Sequence, residues 1–345
     1  MRATFVYANS RRELIDGIER GEEPDSSLYG ALQLREHAID VRFHEPLLTR
    51  IELPSPLGRA AWSLRELTAP YEVGRTDMIV TPLAALLPLS ARARRLPVVA
   101  LNFGLNLIWR RSSLARRALL RASLRSAARI VCLGEAQRRE LVEAASLDPA
   151  RVVTLHAPVD ADFFRPQRDG DEGAVLVVGK DLARDYGTLV EATRTLDAAV
   201  SLVAHPQNLE GLELPANVTE RGGLSYVELR DAYAQAGCVV VPQRGEAFPY
   251  GSEGGGLTTL LEAMAMGKAI VASDRAVLRD YVTDGVEAIL VPPEDPVALR
   301  EATVRVLSDR ELARRLGAAA RARVEREFTS SAFAARLAPL LRSVV

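Results

Sequence analysis

Apolar residues along this chain fall into short β-branched runs, and between them lie longer stretches in which apolar positions recur every three or four residues. In the first half, ATFVYA, DVRF, DMIVTP, PVVALNF, RIVCLG and RVVTLHAPV read as strands, with helices over Ser27 to Ala38, 113–128 and Glu135 to Ala145. In the second half, AVLVVGK, VSLVAHP, CVVVPQ, AIVAS and AILVPP are further β-rich runs separated by helical periodicity. Strands that are apolar on both faces belong to parallel sheets covered by helices, so the alternation predicts two α/β halves, each Rossmann-like. The polar, proline-bearing stretch RPQRDGDEG at 165–173 marks a boundary between them. The expected division is 1–165, 166–330 and a final amphipathic segment, 331–345, that packs back on the first half.

Composition narrows the function classes. A chain of 345 residues with 48% hydrophobic and 26% charged residues has enough apolar material for two cores, which excludes disorder and fibrous repeats. No apolar run reaches the ~18 residues that cross a bilayer, and MRATFVYA reads as a strand, which predicts a cytoplasmic protein. Cys132 and Cys238 each lie in an apolar run, as small core residues do. His37, His44, His156 and His205 follow no metal-ligand spacing, so neither a metal nor another cofactor is expected. Only Lys180 and Lys268 are lysine among 44 basic residues, which makes each a rare choice in this sequence.

The stretch from Gly254 to Ser273, GGGLTTLLEAMAMGKAIVAS, carries the most chemistry. Glycines allow backbone to approach a ligand, and the free N–H groups at a helix start favour phosphate oxygens, so Gly255, Gly256, Leu257, Thr258 and Thr259 form a candidate diphosphate cradle. Glu262 lies one turn or more inside that helix. In VLVVGKDLARDYGTLVEA, Lys180 follows a strand at the edge where open α/β sheets bind ligands, and Arg184 lies four residues on. Two such cations can neutralise a diphosphate.

These segments, with TLHAPVDADFFRP, resemble the donor-binding signature of the retaining glycosyltransferase family 4, strongly from about 150 to 330 and less so before it. The resemblance implies a GT-B fold, two Rossmann-like domains facing a cleft, with a nucleotide-diphosphate sugar held mainly by the second. It implies retention of anomeric configuration, a ribose role for Glu262, nucleotide-base contacts from Leu224 and Tyr226 in the turn GGLSYVEL, and a diphosphate clamp made by Lys180 and Arg184. The family's first signature glutamate falls here on Gly254, leaving Glu253 and Glu246 as candidate substitutes for sugar recognition. On the acceptor side the resemblance points to Tyr29 and Gly30, and to Asn102 or Asn106 where the family often has a histidine. Asp160-Ala161-Asp162 mimics a D-x-D metal motif by spacing alone, but it sits in the crossover segment without further carboxylates. Two other readings share the fold: a nucleotide-sugar epimerase, and a non-catalytic protein that binds nucleotide sugars or lipid head groups.

Charge adds one further feature. Residues 1–165 carry 24 Arg against 19 acids, and from Met78 to Gly134 there are ten Arg and no acid. On a helix over 113–128, Arg117, Arg121 and Arg125 recur every four residues and share a face. That stripe reads either as a solvated surface or as a contact for an anionic membrane or phosphorylated lipid acceptor. In the second case the protein works at the inner face of the membrane.

Overall fold

The computed structural model describes residues 1–46, 57–167, 173–248, 250–252 and 254–345. It contains two six-stranded parallel sheets flanked by helices. The chain divides into two compact units: the first comprises 1–19, 27–157 and 331–345, the second 20–26 and 158–330. The division therefore falls at Ala157–Pro158, earlier than the polar stretch at 165–173, of which 168–172 lie outside the described residues.

The first unit holds strands β1 (Arg2–Phe5), β2 (Asp40–Phe43), β3 (Met78–Thr81), β4 (Val98–Asn102), β5 (Arg129–Cys132) and β6 (Val152–Thr154), in the order β2-β1-β3-β4-β5-β6. Its helices are α1 (Arg12–Glu19), α2 (Leu57–Glu72), α3 (Leu87–Ala93), α4 (Leu105–Arg110), α5 (Leu114–Ser126), α6 (Glu135–Ala145) and α13 (Ser330–Arg342). Alternate strand residues serve two faces, as the period-two geometry of a strand requires. Phe5, Val80, Val99 and Leu101 pack with Phe333, Leu337 and Leu341 of α13. Ala100, Ile130 and Cys132 pack with Leu105, Trp109, Leu120, Leu124 and Leu141 of α4, α5 and α6.

The second unit holds β7 (Val175–Gly179), β8 (Val200–Ala204), β9 (Val218–Glu220), β10 (Cys238–Val241), β11 (Ala269–Ser273) and β12 (Ile289–Val291), in the order β12-β11-β10-β7-β8-β9. Its helices are α7 (Tyr186–Thr193), α8 (Tyr226–Gln235), α9 (Leu257–Ala265), α10 (Ala276–Arg279), α11 (Pro296–Ser308) and α12 (Arg310–Arg323). Val175, Val177, Leu202, Cys238, Val240 and Val271 form the core with Leu189, Leu299, Val306 and Leu316 of the covering helices. Helix starts follow from local side-chain chemistry. Ser225 and Glu228 form a reciprocal capping box at α8, and Asp295 accepts from the amides of Val297 and Ala298 at α11.

Two sequence expectations need correction here. Ser27 to Ala38 is not one helix: it is broken into short 3-10 turns because Tyr29 and Gly30 both take left-handed backbone, with φ of 53° and 69°. β9 went unpredicted because its three residues, Val-Thr-Glu, are too few to show a period.

Candidate functional site

At the C-terminal edge of the second unit's sheet lies a cavity of about 370 Å³, walled by the end of β7, the start of α8 and the start of α9. Nine of the residues singled out in the sequence line it: Lys180, Arg184, Leu224, Tyr226, Gly255, Gly256, Thr258, Thr259 and Glu262. Gly254, Asp181, Ser252, Val203 and Leu229 complete much of the wall.

The glycine turn is shaped by need as well as by freedom. Gly256 caps α9 at φ 85°, and a Cβ there would lie 2.7 Å from Gln243 Nε2. A Cβ at Gly255 would meet Gln243 Oε1 at 3.0 Å, whereas one at Gly254 would enter open space. The turn brings Gly256, Thr258 and Thr259, at the start of α9, to the cavity wall, and the opening amides of a helix have no intrahelical acceptor. Leu257 does not share this role: its side chain is buried and its amide donates to the Gly254 carbonyl.

Arg184 is the central cation. Its guanidinium is buried and packs on Gly179, where a Cβ would fall 2.0 Å from Nε. Nη2 donates to Thr259 Oγ1 at 2.7 Å, while Nε and Nη1 are buried with no hydrogen-bond partner among the described residues. Burial pulls its pKa down, against the pull upward from Tyr186, Tyr233, Asp181 and Glu262. Lys180, by contrast, is exposed at the cavity wall.

Glu262 is buried on α9 and accepts a 2.9 Å hydrogen bond from the Tyr233 hydroxyl. Burial pushes its carboxyl up to about 7, against the downward pull of the Tyr233 hydrogen bond and the Arg184 charge. Sequence reading missed both Tyr233 and Asp181. The carboxylate of Asp181 accepts from the amides of Ala183 and Ser252 at 2.8 and 2.7 Å, pinning the 250–252 loop beside β7. Its place directly after Lys180 was the available signal; Tyr233 gave none, since it looks like an ordinary apolar helix position.

Several sequence candidates have other occupations. Glu246 pairs with Arg275 at 3.2 Å and accepts from the Ala276 amide, away from the cavity wall. Glu253 lies outside the described residues. Asn102 is buried, with Oδ1 accepting from the amides of Gly104 and Leu105 and Nδ2 donating to Asn106 Oδ1. Asn106 in turn donates to the Gln137 carbonyl and Glu140, so this pair joins α4 to α6 and has no amide to offer a sugar. Tyr29 stacks on Phe103, with ring centroids 4.3 Å apart, and Gly30 is buried beside it.

The basic stripe on α5 is also internal chemistry. Arg117 donates to the carbonyls of Trp109 and Arg110, Arg121 to Ala145, and Arg125 to Ser146. These carbonyls end α4 and α6, where cations offset the helix dipole. Asp160 is likewise structural, accepting from the amides of Asp25, Asp162 and Phe163. Among the described residues no group of three or more His, Cys, Asp or Glu is placed to hold a metal ion, and no helix is long and apolar enough to cross a membrane.

Comparison with known proteins places this geometry. Residues 22–163 match the model of Glycosyltransferase Family 4, and residues 206–323 match that of Glycosyl transferases group 1. A D-inositol 3-phosphate glycosyltransferase of Frankia alni is 30% identical over 227 residues, 56% of this chain and 53% of that protein. The chain spans about half the length of the inositol-phosphate relatives it matches. A GDP-mannose-dependent α-(1-6)-phosphatidylinositol monomannoside mannosyltransferase of Mycobacterium tuberculosis is 28% identical over 76% of this chain and 73% of its own. Among solved structures, sucrose-phosphate synthase of Thermosynechococcus elongatus superposes with a TM-score of 0.73 at 20% identity, covering 100% of this chain and 99% of its own. Anabaena HepE in complex with UDP and glucose does so at 0.71 and 15%, covering 99% of each chain. With one glycosyltransferase model matched in each half and two Rossmann-like parallel sheets beneath them, the chain belongs to the GT-B glycosyltransferases of the family 4 type.

Proposed function

We propose that the second unit binds the nucleoside diphosphate part of a sugar donor and that the chain transfers that sugar to a hydroxyl acceptor, with retention and without a metal or other cofactor. The observation that carries this reading is Arg184, whose buried guanidinium leaves Nε and Nη1 unanswered at the wall of a cavity that also receives the start of α9. A buried donor without a partner is costly, and a phosphate oxygen is the acceptor that such a group and a helix N-terminus both favour. Glu262 accepts the ribose hydroxyls, while Leu224, Tyr226 and Val203 give the base an apolar wall with one polar edge.

In the reaction, the bond between the anomeric carbon and the leaving phosphate oxygen lengthens into an oxocarbenium-like state. The acceptor hydroxyl then attacks from the same face and gives its proton to the departing phosphate. Lys180, Arg184 and the amides of α9 stabilise the charge that grows on that phosphate, which is electrostatic catalysis. No side-chain base is required. The relatives' names supply the first compounds to try: UDP- and GDP-linked sugars as donors, inositol phosphates and phosphatidylinositol mannosides as acceptors. Because Arg117, Arg121 and Arg125 answer internal carbonyls, membrane contact through them forms no part of the proposal.

Thermal shift against a panel of UDP-, GDP- and ADP-sugars tests the binding step, since a ligand at 100 times its Kd adds about 2.7 kcal/mol. Nucleoside diphosphate release that depends on an acceptor, and that persists in EDTA, tests the chemistry. A protein that binds a donor but never releases its diphosphate with any acceptor is a binder, and transfer abolished by EDTA and restored by a divalent ion refutes the metal-free reaction.

A further inference from the structure

Behind the donor cavity lies a set of buried polar groups. Tyr233 does not line the cavity, yet its hydroxyl donates to Glu262 Oε2 at 2.9 Å from a fully buried position on α8. Its ring is fixed edge-on against Phe164, with centroids 6.0 Å apart. Thr259, one turn before Glu262 on α9, accepts from Arg184 Nη2 and donates to the Val178 carbonyl at 3.2 Å. Arg184–Thr259 and Tyr233–Glu262 are thus two buried hydrogen-bonded pairs set one turn apart on α9, and Arg184 keeps two further guanidinium nitrogens without partners among the described residues.

Resting on the donor reading above, we propose that Tyr233 is a positioning residue that holds the Glu262 carboxylate aimed for ribose, one turn of α9 away from the Arg184 phosphate site. The physical reason is the competition at Glu262. Burial favours the neutral carboxyl, which offers ribose hydroxyls one acceptor fewer, and the Tyr233 O–H bond favours the anion. The groups that bear on this balance are Tyr233 and Tyr226 from α8 and Arg184 from the turn after β7. Arg321 of α12 acts at the far end of α9, where its Nη1 donates to the Ala265 carbonyl. Removing the phenol oxygen therefore moves the carboxyl toward its protonated form, and ribose binding then requires a higher pH.

The test is calorimetric titration of the full chain with UDP, GDP and ADP and their 2′-deoxy counterparts from pH 6 to pH 9, for the parent, Tyr233→Phe, Glu262→Gln and the double variant. For the diphosphate that the parent binds best, Tyr233→Phe is expected to weaken the ribonucleotide about tenfold at pH 6 and hardly at all at pH 9, while leaving the 2′-deoxy form nearly unchanged. In the Glu262→Gln background the tyrosine substitution should have no further effect on pH dependence, which keeps the test sound even if one variant folds poorly. A tyrosine variant with the parent's pH profile overturns the positioning role. So does equal weakening of ribo and deoxy forms at every pH, which marks a packing role only. If no nucleoside diphosphate binds the parent at all, the donor reading itself fails, and the positioning role falls with it.

Discussion

Replacing Arg184 by methionine should make the ligand-free protein more stable and the nucleotide-bound protein impossible to form. The parent holds two guanidinium nitrogens, Nε and Nη1, buried without partners among the described residues, and each such polar group costs about 1–3 kcal/mol. The substitution removes both penalties. It also removes the hydrogen bond to Thr259, a charge-assisted bond worth about 1.5–3 kcal/mol, although Thr259 keeps the Val178 carbonyl beside it. Methionine is long and adaptable enough to lie along Gly179 in the space the arginine leaves. The balance centres near ~2 kcal/mol of net stabilisation. For a cooperative unit the size of the second one, 20–26 and 158–330, that is a rise in Tm of about 4–8 °C. Differential scanning calorimetry with and without the best-binding nucleoside diphosphate reads both halves of the prediction: a higher Tm alone, and no further rise on adding the nucleotide. A variant that melts several degrees below the parent and still responds fully to nucleotide would show that the guanidinium is satisfied in the fold and takes no part in binding.

Glu262→Gln should change how stability depends on pH. A carboxyl raised from 4.5 to about 7 stabilises the fold fully below pH 4.5 and loses that contribution as pH rises through 7, a difference of roughly 3 kcal/mol, so the glutamine variant should gain on the parent from pH 5 to pH 8 in urea titrations. Gly256→Ala places a methyl group 2.7 Å from Gln243 Nε2 at φ 85°, and should cost about 1–3 kcal/mol in the same assay while weakening nucleotide binding by shifting the start of α9. Asn102→Ala should cost about 1–2 kcal/mol, through the lost acceptor for the Gly104 and Leu105 amides at the start of α4, with nucleoside diphosphate affinity unchanged.

Much of the second unit was legible because its signals are local. β-branched runs name the strands, and a glycine turn running into LTTLLEA names the helix start that shapes the cavity. Lys180, Arg184 and Glu262 could be placed because each stands at a fixed offset from such an element. What stayed hidden depends on contacts across long separations. Whether Arg184 is exposed or buried turns on Gly179 and Thr259, and the partner of Glu262 sits 29 residues away on another helix. For the α5 arginines two readings stayed open for a related reason. A helical wheel shows that Arg117, Arg121 and Arg125 share a face, but only the ends of α4 and α6 reveal what that face meets. Asn102 and Glu246 failed likewise, since their polar atoms were claimed by backbone amides and by Arg275.

The helix α13 sets an order on synthesis. Its residues Phe333, Leu337 and Leu341 fill the same core as Ala3 and Phe5, so the sheet translated first lacks part of its cover until residues beyond 330 have left the ribosome. The second unit needs only 20–26 and 158–330, all of which emerge earlier. Domains usually mature in the order in which they are made. Here the later-made unit is the first to be complete, and the earlier one waits, with an apolar sheet face open to chaperones, for its last helix to arrive.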